Sequence, residues 1–161
     1  PVFIAGWGQL TTHEYVTERL GLQLSGIAAQ AGFFPTGARS AAEQAYAMAG
    51  IGPSDLDVVE TSAPFTFLAA LMLEELGLAP DGDIAGFLRR GGIDKDGGLA
   101  FNTSGGNLSF GQSAQGLYLL LEAVEQLRRE ARGRQVRDAE IALVHGHGGS
   151  TSSNAVVILT R

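Results

Sequence analysis

The stretch that decides the fold runs from residue 38 to residue 61 and has the sequence ARSAAEQAYAMAGIGPSDLDVVET. Its first part, Ala38–Ala49, is rich in strong helix formers and ends at Gly50, with Pro53 shortly after, the usual order of residues at a helix end. Its last part, Val58–Thr61, is a short β-branched run typical of a central strand. The stretch therefore predicts a helix, a turn and a strand in succession.

Segments on either side extend this pattern. A first strand is expected at Val2–Gly6, no firm pattern follows from Gln9 to Thr36, and a surface excursion is expected over Ala79–Gly98. The other predicted elements are the helix Phe65–Leu76, the short segment Leu99–Asn102, the helix Gln115–Ala131, and the strands Ile141–Val144 and Ala155–Leu159. This order implies one layered α/β domain over residues 1–161, with a mixed sheet flanked by helices.

The long helix has an apolar stripe. Leucine and valine recur along it at spacings of three and four residues, as expected for a helix that lies against a sheet. We expect its buried face to contain Leu117, Leu120, Leu121 and Val124.

The composition excludes several classes of function. With 161 residues, of which 45% are hydrophobic, the chain can bury the core of one ordinary domain. Its net charge of −6 offers no general attraction to nucleic acid, and no run approaches the roughly 20 apolar residues of a membrane span. The chain has no cysteine, which excludes disulfides, thiolate metal sites and cysteine nucleophiles from it.

The chain opens directly into the strand-like run PVFIAG, with neither a basic leader nor an initiating methionine. We therefore expect a cut or processed start. The default expectation for location is the cytoplasm.

A polar, glycine-dense turn, Asn102–Asn107, leads from the segment Leu99–Asn102 toward the long helix. Backbone amides in such a turn can point at a carbonyl or phosphate oxygen, so one interpretation is an oxyanion site. The alternative is a tight turn with an asparagine cap. The spacing alone does not decide between them.

His145 and His147 belong to a glycine-rich segment, His145–Gly149, that follows a predicted strand. Imidazole titrates near neutral pH, so each is a candidate general acid or base, and a structural histidine is the alternative for each. If the strand continued through them, we expect the two side chains to point to opposite sides, which disfavours a shared metal. Glu60 either orients a histidine or binds a water, or it is a helix-capping or surface carboxylate.

Several segments, taken in order, resemble one family. AGIGPSDLDVVE at residues 49–60 is similar to the pattern "AGI.P.DID..E", NTSGG at residues 102–106 to "N.SGG", and EAVEQLR at residues 122–128 to "EAVRQLRG". HGHGG at residues 145–149 occupies the glycine-rich turn before the last strand, and Phe65-Thr66 fits the stretch "D.FT". Together these motifs resemble the second half of the thiolase superfamily, in particular its sterol-carrier and lipid-transfer branch.

The resemblance implies a chain that forms one of two similar halves, with the active site at their junction and a coenzyme A thioester as substrate. The implied partners are an N-terminal thiolase half, a second copy in a homodimer of the full enzyme, and a small protein with a zinc ribbon and an oligonucleotide-binding-type fold. No metal and no bound cofactor are expected in this chain. The substrate-binding residues implied are Asn102, Ser104, Gly105, Gly106, His147 and Gly148.

In thiolases the second half supplies a histidine in "GHP.G" and an acid/base cysteine in "C.GGG". The resemblance places the first at Gln112 or Gln115 and the second at His145. Glutamine can donate a hydrogen bond to a thioester oxygen but cannot accept a thiol proton, whereas imidazole can replace the cysteine in proton transfer. These departures favour retro-aldol cleavage of a β-hydroxyacyl-CoA over ordinary thiolysis.

Two functions remain open. The first is an enzyme domain that cleaves or forms a carbon–carbon bond in an acyl-CoA together with an N-terminal half. The second is a binding or scaffolding module that keeps an acyl-CoA or lipid pocket without catalysis. On either view the isolated chain is expected to show no thiolase turnover, because it lacks a nucleophilic thiol. We expect His145 to lie near the Asn102–Asn107 turn and near Gln112 or Gln115, on one concave surface.

Overall fold

The computed structural model describes residues 1–12, 36–93, 98–109, 111, 115–149 and 151–161. Within them, five strands form one sheet. The elements in chain order are β1 (Phe3–Thr11), α1 (Ala38–Ala49), β2 (Val58–Thr61), α2 (Thr66–Glu75), α3 (Ile84–Arg89), β3 (Ala100–Phe101), α4 (Gly106–Ser109), α5 (Gln115–Arg128), β4 (Ile141–Gly148) and β5 (Ser153–Thr160).

The sheet is mixed, as predicted, with the strand order β1-β5-β4-β2-β3. Strand β2 runs parallel to both β3 and β4, whereas β5 pairs antiparallel with β4 and β1. Each residue of β2 is buried, which explains its short β-branched sequence, because a strand covered on both faces has no polar-outward alternation. The predicted α/β architecture is confirmed.

The two faces of the sheet carry different helices. On one face α1 and α2 pack over a core that includes Val59 and Leu143. On the other face α5 packs over a core that includes Val58 and Val144. Helix α1 lies directly on the backbone of β1, since a Cβ added at Gly8 would come within 2.1 Å of the Ala41 carbonyl oxygen.

Local signals predicted some boundaries well and others poorly. Helix α1 and strand β2 have the predicted bounds. Strand β4 continues through Gly148, so the segment expected to form a glycine-rich turn is largely strand. The expected excursion Ala79–Gly98 contains the short helix α3. In the described parts of the chain, no helix is long and apolar enough to cross a membrane.

The predicted buried face of α5 was wrong in part. Leu117 and Leu121 are 57% and 49% exposed, and Leu120 and Val124 are half-buried. The inner face is formed by Leu119, Glu122, Ala123, Gln126 and Leu127. Apolar residues occur on two sides of α5, so periodicity alone cannot choose the inner one, and two polar residues take inner positions because they find hydrogen-bond partners there.

Candidate functional site

The carboxyl ends of β2, β3 and β4 lie at the same edge of the sheet, because these neighbouring strands are parallel. Ligand sites of α/β sheets commonly form at this edge. The Asn102–Asn107 turn follows β3, the segment from Ser62 follows β2, and His145 and His147 lie in the last part of β4. The fold therefore brings the predicted site segments to one edge.

The Asn102–Asn107 turn is bound to the end of β2. The Oδ1 atom of Asn102 accepts a hydrogen bond from the backbone of Thr61 at 2.7 Å, and that of Asn107 accepts one from the backbone of Ala63 at 2.9 Å. Asn102, Gly105 and Gly106 adopt positive φ angles of 49°, 88° and 54°. Glycine tolerates this backbone without strain, which accounts for the two glycines in the motif.

Glu60 lies beneath the turn and is completely buried, so its interpretation as a surface carboxylate was wrong. Its carboxyl group contacts the backbone nitrogen of Thr103 at 2.7 Å and the Ser104 hydroxyl at 2.6 Å. Burial raises its pKa, although the hydrogen bonds from Ser104 and Thr103 act in the opposite direction. Glu60 thus holds the turn, and among the described residues it forms no hydrogen bond with a histidine.

A second carboxyl group approaches from α5. The Thr103 hydroxyl lies 2.8 Å from Glu60 Oε1 and 2.7 Å from Glu122 Oε1. Glu122 also pairs with Arg134 at 2.5 Å and with the side chain of Gln126 at 3.0 Å. Burial alone would raise the pKa of Glu122, but the hydrogen bonds from Arg134, Thr103 and Gln126 bring it below its ordinary value.

His145, on β4, is completely buried on the face of the sheet opposite Glu60, the face that α1 covers. Its Nδ1 atom lies 2.7 Å from the Thr61 hydroxyl, and its Nε2 atom lies 3.1 Å from Oδ1 of Asn154. The amide of Asn154 is oriented by the bond from its Nδ2 atom to the Thr151 carbonyl, so this network assigns the proton to Nε2 of His145. Burial lowers its pKa to about 4; Asn154 opposes the shift and His147 adds to it. His145 is therefore neutral at pH 7.

His147 lies on the same side of β4 as His145, with the ring centroids 6.0 Å apart. The expectation of opposite sides was wrong, because residues two apart in a strand share a face. Both ring nitrogens of His147 are buried, and the backbone of Ser62 lies beside the ring. Burial lowers its pKa, and the neighbouring backbone of Ser62 counteracts part of that shift.

The other predicted residues have varied surroundings. The Ser104 hydroxyl is used inside the turn, since it donates to Glu60 and accepts from the backbone of Gly106 at 3.1 Å. Gly148 is exposed at the end of β4. Gln112 lies outside the described residues, and Gln115 is described only as the first residue of α5. The expected proximity of either glutamine to His145 stays a prediction.

His145 and the turn meet through one residue. Thr61 donates its backbone N–H to Asn102, and its hydroxyl contacts His145. Sequence reasoning missed Thr61, Thr103 and Asn154. For Thr61 and Asn154 the available signal was a polar residue at a position that strand alternation assigns to a core face. In the described ranges, no group of three or more His, Asp or Glu is arranged to hold a metal ion.

A groove of about 310 Å³ lies beside the Thr103 network on the outer side of α5, lined by Ser104, Tyr118, Leu121, Glu122, Glu125 and Arg134. The same surface continues onto the exposed side chain of Leu117. This part of α5 thus combines apolar side chains with an ion pair.

Residues 21–161 match the family model described as thiolase C-terminal domain-like. The chain is 41% identical over 127 residues to sterol carrier protein 2 of Rattus norvegicus, a match that covers 76% of this chain and 22% of that protein. It is 37% identical over 124 residues to an acetyl-CoA acetyltransferase of Methanothermobacter thermautotrophicus, covering 76% and 32%.

Among solved structures, the Ltp2-ChsH2(DUF35) aldolase superposes on this chain with a TM-score of 0.77 and 27% identity. The superposition covers 99% of this chain and 39% of that one. In the two curated matches above, the aligned region is only 22% and 32% of the relative's length.

Proposed function

This chain belongs to the thiolase C-terminal domain-like family, and we propose that it supplies one wall of an active site that cleaves or forms a carbon–carbon bond in an acyl-CoA thioester. The family resemblance inferred from the motifs is confirmed by the matches to thiolases and to an aldolase. The observation that carries the proposal is the Asn102–Asn107 turn, which two asparagine amides and a buried carboxyl group hold at the sheet edge beside two histidines.

The proposed partner is an N-terminal thiolase half. The chain has no cysteine and its curated matches span about a third or less of the relatives, which supports a site whose other wall, and whose nucleophile in the case of thiolysis, come from elsewhere. The outer side of α5 supports this proposal, because Leu117, Tyr118 and Leu121 are 57%, 41% and 49% exposed. Adjacent apolar side chains of this size are typical of a surface that packs against a partner.

Further association is proposed for the whole protein. We propose a homodimer that works in the cytoplasm and a small additional partner protein with a zinc ribbon and an oligonucleotide-binding-type fold. The name of the solved neighbour joins two components, Ltp2 and ChsH2(DUF35), which supports a partner of some kind. The light-scattering mass of the full-length protein, purified alone and after co-expression with such a protein, tests both associations.

We propose the following roles for the site residues. The turn residues Asn102, Ser104, Gly105 and Gly106 are proposed to orient the thioester, with His147 and Gly148 at the neighbouring strand end. Gln112 or Gln115 is proposed to donate to the thioester oxygen. A hydrogen-bond donor placed at that oxygen stabilises an enolate as well as a tetrahedral intermediate, so this arrangement suits aldol chemistry that needs no acyl-enzyme.

His145 is proposed to take part in proton transfer. Its ring is neutral and can accept a proton, but both nitrogens already bind neighbours. Proton exchange with a substrate therefore requires the Thr61 hydroxyl to turn and pass the proton on. This requirement also favours the second function, an acyl-CoA-binding or lipid-binding module without turnover, in which His145 is purely structural.

A kinetic comparison distinguishes the two functions. The full-length protein is expected to cleave a β-hydroxyacyl-CoA, and His145→Gln is expected to lower kcat by roughly a hundredfold or more at a temperature where the variant stays folded. Acetoacetyl-CoA and coenzyme A provide the thiolysis assay. Binding of a CoA thioester without turnover of either substrate would support the binding module.

The isolated chain gives a second test. It is expected to show no thiolase turnover, because no thiol occurs in its 161 residues. Coenzyme A-dependent cleavage of acetoacetyl-CoA by the pure chain would contradict the proposed division of the active site between two halves.

A further inference from the structure

The Thr103 hydroxyl lies between two carboxyl groups that come from different elements. Glu60 Oε1, on β2, is 2.8 Å away, and Glu122 Oε1, on α5, is 2.7 Å away. The side-chain amide of Gln126 donates to the same hydroxyl at 3.1 Å. Both carboxyl groups are buried, with Glu60 at 0% and Glu122 at 5% exposure.

Counting protons in this arrangement gives a definite result. A threonine hydroxyl has one hydrogen to donate and can accept two, whereas an ionised carboxylate can only accept. The hydroxyl can donate to one of the two carboxyl oxygens. A full linear hydrogen bond to the other oxygen then requires that carboxyl group to donate. If both carboxyl groups were ionised, the single hydroxyl hydrogen would have to be shared between oxygens at 2.7 and 2.8 Å, which is a weaker arrangement.

The surroundings indicate which carboxyl group holds the proton. Glu122 faces Arg134, with contacts at 2.5 and 3.4 Å, and Arg134 also approaches Glu125 at 4.0 Å. Glu60 forms no ion pair among the described residues and contacts only neutral donors. Charge on Glu122 is therefore stabilised by a cation, while charge on Glu60 would be buried and would repel Glu122.

Groups on the other elements around Glu60 do not change this assignment. Its neighbour on β4 is Val144, which is apolar. The two histidines of β4 lie on the opposite face of the sheet with Thr61. Of the charged groups, Arg134 is near enough to interact with Glu60, although it pairs directly with Glu122.

We propose that Glu60 is a protonated carboxylic acid at neutral pH. Glu60, Thr103 and Glu122 then form a hydrogen-bond relay that positions the Asn102–Asn107 turn. The Glu60 acid donates to the Thr103 hydroxyl, and that hydroxyl donates to the Glu122 carboxylate. The relay ends at Arg134, whose side chain is 45% exposed. Glu60 acts on any ligand of the turn only through Thr103 and Ser104, so it is a positioning residue, and the inference does not rest on the proposed reaction.

The relay makes the turn sensitive to pH. The folded protein holds the proton of Glu60 more tightly than the unfolded chain does. The stabilisation from this group is therefore complete at low pH and is lost as the pH rises through the raised pKa. Once Glu60 ionises, two carboxylates share one hydroxyl, and the contact that holds Thr103 weakens.

Infrared spectroscopy of the full-length protein tests the proposal directly. At pH 7 we expect a carbonyl stretch of the kind that only a protonated carboxylic acid gives, and Glu60→Gln should remove it. Glu75→Gln is the matched control, because Glu75 is also buried and takes hydrogen bonds from a threonine, at 2.9 and 3.0 Å, without a second carboxyl group on that hydroxyl. This control should leave the band unchanged.

A pH titration of the same band provides the second measurement. In Glu122→Gln the repulsion from the second carboxylate is gone, so the band should disappear at a lower pH than in the wild type. The proposal fails if the wild type has no band that Glu60→Gln removes. If Glu60→Gln does not fold, an unchanged titration midpoint in Glu122→Gln overturns the relay, and a midpoint at lower pH supports it.

Discussion

The two faces of strand β2 end in polar networks of different kinds, and both hold the same turn. On the α5 face, Glu60 and Glu122 share the Thr103 hydroxyl, and a partly exposed arginine compensates the charge. On the α1 face, the Thr61 hydroxyl contacts one imidazole nitrogen of His145, and the side-chain oxygen of Asn154 accepts a hydrogen bond from the other. One network is built around acids and a cation, and the other contains only groups that are neutral at pH 7.

The two networks therefore respond to pH in opposite directions. Burial raises the pKa of Glu60 and lowers that of His145, because in each case a buried group favours its neutral form. Rising pH weakens the acidic network, and falling pH weakens the imidazole network. The end of β2 is most stable between these limits, where both groups are neutral. Strand β2 thus contacts two separate titrating groups, its own Glu60 on one face and His145 of β4 through Thr61 on the other, because its side chains alternate between faces.

The largest loss of stability is expected from Glu60→Ala. This change removes the group that accepts bonds from the Thr103 backbone and the Ser104 hydroxyl, and it leaves a cavity beneath the turn. The unfolding free energy should fall by roughly 3–4 kcal/mol, measured by urea denaturation at pH 6. Glu43→Ala, an exposed residue on α1, is the control and should have little effect. A loss as small as that of the control would show that Glu60 does not stabilise the turn.

Acid should weaken the imidazole network by a comparable amount. The unfolded His145 takes up a proton near pH 6.5, but the folded one does so only near pH 4, so stability is lost as pH falls through that window. The loss between pH 7 and pH 4 attributable to His145 is about 3 kcal/mol. His145→Gln should show a flatter dependence of unfolding free energy on pH over this range. Parallel curves for the two proteins would show that His145 is not held neutral.

A smaller effect is expected where the two networks share a residue. Thr61→Val keeps the backbone bond to Asn102 but leaves Nδ1 of the buried His145 without its donor, at a cost of about 1–3 kcal/mol. Thr61→Ser keeps the hydroxyl and should recover most of that stability. Thermal unfolding of the three proteins at pH 7 measures the difference. A loss in Thr61→Ser as large as that in Thr61→Val would contradict this, because keeping the hydroxyl would then not restore stability.

The smallest effect is expected from Arg134→Ala, because the arginine side chain is 45% exposed and water screens its charge. Leaving Glu122 buried without its cation should cost roughly 1 kcal/mol at pH 7, and less at acidic pH where Glu122 can take up a proton. The matched control is Arg90→Ala, which breaks the exposed pair with Asp83 and should cost almost nothing. Equal effects would indicate that Arg134 is only a surface charge.

Much of the fold was predictable from local signals, but the candidate site was predictable only in outline. The glycine at the end of α1 and the β-branched run of β2 act over a few neighbouring residues, and their predicted bounds are those observed. The motif at Asn102–Asn107 was also recognisable. Its interpretation stayed open because Glu60, which lies beneath it, is 43 or more residues away in the chain.

The sequence by itself determined the α/β architecture, the family resemblance and the segments that reach the sheet edge, because helix ends, β-branched runs and glycine turns follow from local chemistry. Only the tertiary structure decided which side of α5 faces the sheet, that the two histidines share a face, and that Glu60 lies under the turn. These outcomes depend on pairing between distant residues. A single hydroxyl, that of Thr103, can bridge two carboxyl groups only after β2, α5 and the turn have packed together.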